Sequence, residues 1–251
     1  MSLAVRELAV RFGGVAALAG VSFDVEPGRI TSLIGPNGAG KTTAFNVITG
    51  FLKPDRGQVL YDGHPLTGLR PFRVAERGIV RTFQKTNVFP QVSVLANVMI
   101  GLHLQARAGV LATLRGDRRV REEEARLAAL GEEILGFVGL GRRRDETASA
   151  LPYGEQRLLE LAIAVAARPR VLLLDEPASG MNPSEKTALM SLIQRIQARG
   201  VTVFLVEHDM RLVMGISDRV IVLNYGHVIA HGTPLEVQGH PDVIRAYLGG
   251  R

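Results

Sequence analysis

Residues 35–42 are Gly35-Pro36-Asn37-Gly38-Ala39-Gly40-Lys41-Thr42, a glycine-rich stretch of the kind that wraps around phosphate groups. An apolar run, Ile30–Ile34, precedes it, and a segment with a helical pattern follows from Thr42 to Ile48. Gly38 and Gly40 let the backbone approach phosphates with N–H groups turned inward, and the helix directs its positive end at the same anion. Lys41 adds a full charge, and the Thr42 hydroxyl suits magnesium. A glycine turn with an incidental lysine is the alternative, but the flanking strand and helix favour a nucleoside triphosphate site.

The composition predicts a globular protein without cysteine chemistry. The chain has 251 residues, 46% of them hydrophobic, which is enough for one elaborated domain or two. Its most apolar stretch, Leu158–Ala167, is interrupted by Glu160 and is far shorter than the roughly 18 residues that span a bilayer, and no secretory signal is found. Zero cysteines exclude disulfides and thiolate metal sites. We expect a soluble cytoplasmic protein whose cofactors are held by oxygen or nitrogen.

The net charge of +6 leaves three kinds of partner open: nucleic acid, an anionic membrane surface or an acidic protein. The arginines are scattered along the whole chain. Charges at Arg121–Glu124 and Arg126 have the spacing of a solvated helix face. Arg142–Arg144 fits either a surface loop or a position near lipid headgroups. Because the arginines are scattered along the chain, we predict no nucleic-acid partner.

Strand and helix patterns alternate along the chain, with one interruption. Short alternating strands precede the glycine-rich loop, and from about residue 91 to 150 helix formers dominate, with Ser93 placed to cap the first helix. After residue 150 the strands are uninterrupted apolar runs separated by helices, which indicates a parallel sheet covered on both faces. The expected later elements are a strand Ile79–Phe83, a helix Glu155–Ala167, a strand Val171–Leu174, a helix Ser184–Arg199, a strand Val201–Val206 and a final pair at Val220–Leu223 and His227–Ala230.

Two carboxylates follow one of these apolar strands. Asp175 and Glu176 come directly after Val171–Leu174, and in open α/β sheets ligands bind at the carboxyl ends of strands. The pair resembles a Walker B site, in which Asp175 would reach magnesium, usually through water, and Glu176 would polarise the attacking water as general base. The alternative is a pair of solvated loop carboxylates.

His208 and Gln84 also come soon after expected strands. His208 follows the strand Val201–Val206, and if that strand neighbours the one that ends at Asp175, the imidazole is placed to contact the γ-phosphate. A structural histidine is the alternative. Gln84 offers a carbonyl oxygen to magnesium and a hydrogen bond to the attacking water, although a glutamine alone is a weak indication.

These motifs together resemble the ATP-binding cassette (ABC) family. GPNGAGKT at 35–42, Gln84, LPYGEQR at 151–157, LLLDEP at 172–177 and His208 stand in that family's order and at its spacing, and the resemblance runs from residue 3 to the C terminus. It implies an α/β fold: a P-loop NTPase (RecA-like) core with an N-terminal antiparallel β part and an inserted α-helical subdomain. Within a single domain, 1–251, the implied division is 1–90 and 156–232 for the catalytic core with the β subdomain, 91–155 for the helical subdomain and 233–251 for a C-terminal tail.

The resemblance also implies a head-to-tail pair of domains. Two ATP molecules with Mg²⁺ would be sandwiched between the phosphate loop of one domain and the LSGGQ-like segment of the other. Phe12 would stack on adenine, with core packing as its alternative. Thr42, Gln84 and Asp175 would hold Mg²⁺, while Glu176, His208 and Gln84 would serve hydrolysis. The implied nucleotide contacts are Phe12, Gly35, Pro36, Asn37, Gly38, Ala39, Gly40, Lys41, Thr42, Thr43, Tyr153, Gly154 and Glu155.

The sequence departs from the family pattern at two places. Leu151-Pro152-Tyr153-Gly154-Glu155 stands in place of LSGGQ, so the serine hydroxyl is absent, and Pro152 has no N–H. This leaves Tyr153, Gly154 and the helix N terminus as contacts to the partner's phosphate. Asn182 stands where the family usually has aspartate, which keeps a hydrogen-bonding carbonyl and loses the charge.

These departures point to one branch of the family. Together with RTFQ at 81–84, EPASGMNP at 176–183 and the closing HGTPLEV and HPDVIRAYLG, they resemble the larger ATPase of branched-chain amino-acid importers. The resemblance implies a heterodimer with a related ABC ATPase, a homodimer also being permitted. This dimer would dock on two transmembrane permeases, fed by a periplasmic binding protein, at the cytoplasmic face of the inner membrane. Gln84 and the helical insertion would grip the permeases.

Three alternatives stand beside this interpretation. The first is an ATPase for urea, amide or lipopolysaccharide transport. The ATPases of such transporters look alike because the cargo does not touch them. The second is a soluble ATP switch that acts on nucleic acid, although the chain has no basic, aromatic-interleaved extension. The third is a P-loop small-molecule kinase, which leaves LPYGEQR and His208 unexplained.

Overall fold

The computed structural model describes residues 2–82, 88–102 and 118–248. Its contacts divide the chain into two compact units. The first unit comprises Met1–Arg81, Arg170–Ser179 and Lys186–Arg251, and the second comprises Thr82–Pro169 and Gly180–Glu185. The expected helical subdomain, 91–155, lies within the second unit, which extends to Pro169.

The described residues form ten strands and nine α-helices. The strands are β1 (Leu3–Phe12), β2 (Val15–Val25), β3 (Ile30–Ile34), β4 (Arg56–Tyr61), β5 (His64–Pro65), β6 (Ile79–Arg81), β7 (Val171–Asp175), β8 (Thr202–Val206), β9 (Arg219–Asn224) and β10 (His227–Gly232). The helices are α1 (Lys41–Ile48), α2 (Pro71–Glu76), α3 (Val94–Gly101), α4 (Arg118–Val138), α5 (Tyr153–Ala166), α6 (Pro183–Gln197), α7 (Met210–Ile216), α8 (Pro234–Gln238) and α9 (Pro241–Leu248). Every strand formed by these described residues lies in the first unit.

The larger sheet of the first unit has six strands in the order β10-β9-β3-β8-β7-β6. All neighbours are parallel except β9 and β10. The turn between these two places Tyr225 at φ 46° and Gly226 at φ 75°. Two successive positive φ values belong to the tight turn whose twist suits an antiparallel hairpin. The predicted parallel sheet is confirmed, with this hairpin at one edge.

Both faces of this sheet are buried, as the unbroken apolar strands predict. Along β3, Leu33 packs in one core cluster and the next residue, Ile34, packs in another. Along β9, Ile221 and Val222 divide between the same two clusters. Because side chains alternate between the faces of a strand, the two clusters lie on opposite faces of the sheet.

A second sheet in the first unit has four strands in the order β2-β1-β4-β5, and all of its pairings are antiparallel. It shares a core cluster with the six-stranded sheet. In that core the Phe204 ring of β8 lies 5.6 Å from the Phe23 ring of β2 and 5.0 Å from the Phe45 ring of α1, measured between centroids. The N-terminal antiparallel β part expected from the resemblance is present.

The second unit contains α3, α4 and α5. Ser93 caps α3, as predicted, because its hydroxyl accepts a hydrogen bond from the Ala96 N–H at 3.1 Å. Gly101 allows α3 and α5 to approach closely, since a Cβ at this position would lie 2.5 Å from the Ile163 carbonyl oxygen. Among the described residues, no helix combines the length and apolar character needed to cross a membrane.

The last part of the first unit is helical, which the sequence patterns did not predict. Helices α8 and α9 occupy the segment expected to be a C-terminal tail. Thr233 begins α8 with a reciprocal cap, in which its hydroxyl bonds the Glu236 N–H and the Glu236 carboxylate bonds the Thr233 N–H. Val237 and Val243 pack in the second core cluster, so these helices are part of the fold.

Candidate nucleotide-binding site

The glycine-rich loop connects β3 to α1 and depends on close backbone approaches. Gly35 has φ 151°, and a Cβ there would lie 2.1 Å from the Leu223 carbonyl oxygen. Gly40 has φ 105°, and its Cβ would lie 2.4 Å from the Ala17 carbonyl oxygen. Only glycine fits such positions without a backbone shift. The loop is therefore built closely into the first unit, directly before the start of α1.

Lys41, the first residue of α1, is folded into this loop. Its Nζ donates hydrogen bonds to the carbonyl oxygens of Gly35 at 2.6 Å and Pro36 at 3.0 Å. Burial lowers the pKa of the Lys41 ammonium, while the nearby carboxylates of Glu176 and Asp175 oppose that shift. The lysine is thus close to both predicted Walker B carboxylates. Thr42 is exposed beside it, and Thr43 is half-buried.

Asp175 is the last residue of strand β7 and Glu176 directly follows it, as predicted. Asp175 is 4% exposed, and its carboxylate accepts a hydrogen bond from Arg81 Nη2 at 2.6 Å. Glu176 has φ 47°, a left-handed conformation that is uncommon for residues other than glycine and that concentrates at functional sites. Its N–H donates to the Val206 carbonyl at 2.9 Å, which turns the chain at the end of the sheet.

His208 lies beside Glu176. Strand β8 pairs with β7 and places Val206 opposite Asp175, so the predicted proximity of the two strands is confirmed. The Nδ1 atom of His208 is 3.8 Å from Glu176 Oε2. The imidazole is 64% exposed and the glutamate side chain 23% exposed, so both can reach a ligand. Gln84, the third residue predicted to serve hydrolysis, lies outside the described residues.

Phe12 ends β1 with 54% of its surface exposed. The alternative interpretation, that this ring packs in the core, is therefore wrong. An aromatic ring left exposed next to a glycine turn can stack on a flat ligand. Its contact with adenine stays a prediction.

The LPYGEQR segment begins helix α5 of the second unit. Pro152 occupies the N-cap position and supplies no side-chain hydrogen bond. Gly154 packs against Glu185, since a Cβ on this glycine would lie 2.5 Å from the Glu185 Oε1 atom. Tyr153 is 44% exposed, and its hydroxyl accepts a hydrogen bond from Arg157 Nε at 3.1 Å. Contacts inside the second unit therefore fix the start of α5, and the hydrogen bond from Arg157 orients the Tyr153 side chain.

Glu155 has a local partner that the sequence analysis did not identify. Its carboxylate lies 3.2 Å from Arg143 Nε. Negative charge is favourable at a helix N terminus, but it would repel a phosphate bound there. Arg143, predicted only as part of a surface loop or a lipid contact, offsets that charge.

Glu207 was also missed, although it sits between the apolar strand β8 and His208. Its side chain is 1% exposed and accepts three backbone hydrogen bonds: from Ala178 N at 2.8 Å, His208 N at 3.0 Å and Asp209 N at 3.4 Å. The carboxylate therefore joins the loop after Glu176 to the loop that carries His208. A carboxylate directly after a largely apolar strand was the available signal.

Replacing Glu207 by glutamine is expected to lower the free energy of unfolding by about 1–3 kcal/mol. Glutamine has one acceptor oxygen, and its NH₂ group would face a buried backbone N–H that it cannot satisfy. Urea denaturation measures the change. Glu26→Gln is the matched control, because Glu26 forms exposed ion pairs with Arg29 and Arg219, which contribute about 0–1 kcal/mol. Equal stability of the two variants would contradict the assigned role of Glu207.

The oxygen atoms at this site suit magnesium better than a transition metal. Among the described residues, no three His, Cys, Asp or Glu side chains are grouped to hold a metal ion by themselves. Magnesium needs no such group, because it is usually bound through one or two carboxylates, water and substrate phosphates. The Thr42 hydroxyl and the buried Asp175 carboxylate fit that pattern.

The glycine-rich loop between β3 and α1, its lysine, and two carboxylates at the end of a parallel strand define a P-loop nucleotide-binding domain. The ABC transporter family matches residues 18–179, and the family described as branched-chain amino acid ATP-binding cassette transporter matches residues 227–251. The chain therefore belongs to the ABC transporter family.

Curated relatives match nearly the whole chain. The high-affinity branched-chain amino acid transport ATP-binding proteins BraF of Pseudomonas aeruginosa and LivG of Escherichia coli are each 43% identical, over 98% of this chain and 97% of theirs. A probable LivG of Archaeoglobus fulgidus is 33% identical, over 99% of this chain and 96% of its own.

Solved structures agree with these relatives. The ADP conformation of an ATP-binding cassette of an ABC transporter superposes with a TM-score of 0.86 at 33% identity and covers 99% of both chains. A nucleotide-free ATP-binding cassette gives a TM-score of 0.84 at 32% identity, covering 99% of this chain and 100% of that one.

Proposed function

We propose that the chain is the ATP-hydrolysing subunit of an importer for branched-chain amino acids. The names of BraF and LivG support this substrate class, and the family match over residues 227–251 supports it as well. Relatives of this kind are ATP-binding proteins of transporters, which supports a position at the cytoplasmic face of the inner membrane, held there by membrane permeases.

One observation carries the hydrolytic part of the proposal. Glu176 and His208 lie 3.8 Å apart, and the Glu176 carboxylate is close enough to the Lys41 ammonium to influence its pKa. One edge of the sheet therefore groups a general base, a polar side chain for the transferred phosphoryl group and a phosphate-binding cation. This is the set of groups that hydrolysis of a nucleoside triphosphate requires.

Each residue has a role in that reaction. The N–H groups of the loop and the Lys41 ammonium bind the phosphates. Glu176 accepts a proton from the attacking water, and His208 donates a hydrogen bond to the γ-phosphate. Phe12 stacks on adenine, and Gln84 orients the same water.

Thr42 and Asp175 would hold magnesium, together with Gln84. The ion, when bound with the nucleotide, neutralises phosphate charge and supplies electrostatic stabilisation of the transition state. Asp175 is suited to this task because the residue is 4% exposed and its carboxylate is held in one orientation by Arg81.

A second cassette completes the site in this proposal. The exposed Tyr153 and the uncapped start of α5 would contact the nucleotide held by the partner cassette. The pairing of Glu155 with Arg143 supports this role, because it reduces the negative charge where a phosphate would arrive. The partner is a related ABC ATPase or a second copy of the chain.

An affinity pull-down from detergent-solubilised membranes tests the assembly. We expect the tagged chain to recover two multi-span permeases and a second cassette ATPase, identified by mass spectrometry, with a periplasmic binding protein present only when it remains bound to the permeases. Membranes from cells that express the untagged chain are the control. Recovery of soluble proteins or nucleic acid alone would overturn the importer assignment.

A further inference from the structure

Arg81, the last residue of β6, is buried against the carboxylate that ends the neighbouring strand. The two side chains are 6% and 5% exposed, with Arg81 Nη2 lying 2.6 Å from Asp175 Oδ2. They are 94 residues apart in the chain, so the parallel pairing of β6 with β7 brings them together. Removing one partner of a charged pair this deep would leave the other charge buried and uncompensated.

Helix α1 fixes the other end of the guanidinium group. Arg81 Nη1 donates to Asn46 Oδ1 at 2.8 Å and to Thr49 Oγ1 at 3.3 Å. The guanidinium carbon lies 5.5 Å from the centroid of the Phe45 ring. Arg81 therefore connects Asp175 to the helix that begins with Lys41 and Thr42.

This geometry restricts the rotation of the Asp175 carboxylate. A guanidinium is a rigid planar fork, so bonds from both of its Nη atoms set its orientation and that of its partners. With Oδ2 held by Arg81, Oδ1 remains for a further ligand. A magnesium site depends on such orientation, because the ion demands near-ideal octahedral geometry.

We propose that Arg81 is a positioning residue for the metal–nucleotide complex. It orients the Asp175 carboxylate so that Oδ1 can bind magnesium. It also fixes the position of that carboxylate relative to helix α1, which contains Thr42. The inference rests on the proposed function in one respect, the role of Asp175 toward magnesium. In this proposal Arg81 acts through Asp175 and is not itself a ligand of the metal or the nucleotide.

The test measures how magnesium changes nucleotide affinity, without reference to hydrolysis. A fluorescent ATP analogue is first titrated into the chain in the presence of EDTA, which gives the nucleotide affinity without magnesium. The concentration of the analogue is then held fixed while the MgCl₂ concentration is increased. For Arg81→Met we expect nucleotide affinity in EDTA to stay within about twofold of wild type, because the loop and Lys41 are untouched. We expect the half-saturating magnesium concentration to rise about tenfold or more, the usual effect of removing a group that orients a metal ligand.

Two further variants sharpen the result. Arg81→Lys keeps a charge but lacks the fork, so its half-saturating magnesium concentration should lie between those of wild type and Arg81→Met. Arg6→Met is the matched control, because Arg6 forms a 2.6 Å pair with Asp24 in which both side chains are exposed. Its magnesium dependence should equal that of wild type.

Three outcomes would overturn the proposal. A wild-type or lower half-saturating magnesium concentration in Arg81→Met would mean that the arginine does not position the ligand. An equal loss of nucleotide affinity in Arg81→Met with and without magnesium would indicate that Arg81 has a purely structural role. If Arg81→Met does not fold, wild-type magnesium dependence in Arg81→Lys is the contradicting result.

Asp175→Asn separates this proposal from the one on which it rests. This variant should lose most of the magnesium effect if Asp175 serves the ion. If Asp175→Asn keeps wild-type magnesium dependence, the metal role of Asp175 in the proposed function is wrong. If Asp175→Asn loses the dependence while Arg81→Met retains it, only the role of Arg81 is wrong.

Discussion

Glu176→Gln is expected to bind ATP as wild type does and to hydrolyse it at least about 10² times more slowly, the usual contribution of a general base. The glutamine amide cannot accept the proton of the attacking water. It keeps the size of the side chain, and its backbone can adopt the same left-handed conformation at φ 47°. Steady-state phosphate release and equilibrium ATP binding measure the two quantities separately.

The control for this variant is Glu76→Gln. Glu76 is an exposed residue of α2, paired with Arg73 at 2.8 Å, and its replacement should leave hydrolysis unchanged. Turnover of Glu176→Gln within a few-fold of wild type would remove Glu176 from the role of general base. A parallel loss of ATP binding would show that the carboxylate acts mainly on the loop, through the charge that it presents to Lys41.

Lys41→Ala should weaken ATP binding itself. The ammonium is the full positive charge of the loop, and a hydrogen bond to a charged group contributes about 1.5–3 kcal/mol. This corresponds to a loss of affinity of roughly 10- to 100-fold. Isothermal calorimetry of ATP binding measures the change, and thermal unfolding without nucleotide checks that the fold is retained.

Two companion variants separate charge from loop structure. Lys41→Met keeps most of the side-chain volume but removes the hydrogen bonds to the carbonyls of Gly35 and Pro36. It should lose affinity to a similar extent as Lys41→Ala if the charge matters most. Lys53→Ala removes an exposed lysine and should leave affinity unchanged. Wild-type affinity in Lys41→Ala would contradict the assignment of the phosphate loop.

Much of the six-stranded sheet could be predicted because its signals are local. Largely apolar runs predicted the buried strands β3, β7 and β8, whose residues are all buried. The predicted helices at Thr42, Glu155 and Ser184 each start within two residues of the observed ones, at Lys41, Tyr153 and Pro183. Helices α8 and α9 were missed because they are short, and Val237 and Val243 acquire their burial from the core beneath them.

The residues of the candidate site likewise include some that local sequence signals predicted and some that they did not. Asp175, Glu176 and His208 were predicted because each follows an apolar strand, and carboxyl ends of parallel strands share an edge. Arg81 and Glu207 were not assigned roles. Neighbouring sequence does not identify their distant partners, since Arg81 bonds a residue 94 positions away and Glu207 accepts one of its three hydrogen bonds from a residue 29 positions away.

The sequence by itself determined the phosphate loop, the strands that carry the carboxylates and the family to which the chain belongs. These follow from backbone sterics at glycine, from the period of apolar residues and from motif spacing, all of which act over a few neighbouring positions. Only the tertiary structure decided that Arg81 holds Asp175 and that Glu207 joins the loops after β7 and β8. Those contacts depend on strand order and register, which arise from packing the whole sheet into its two cores.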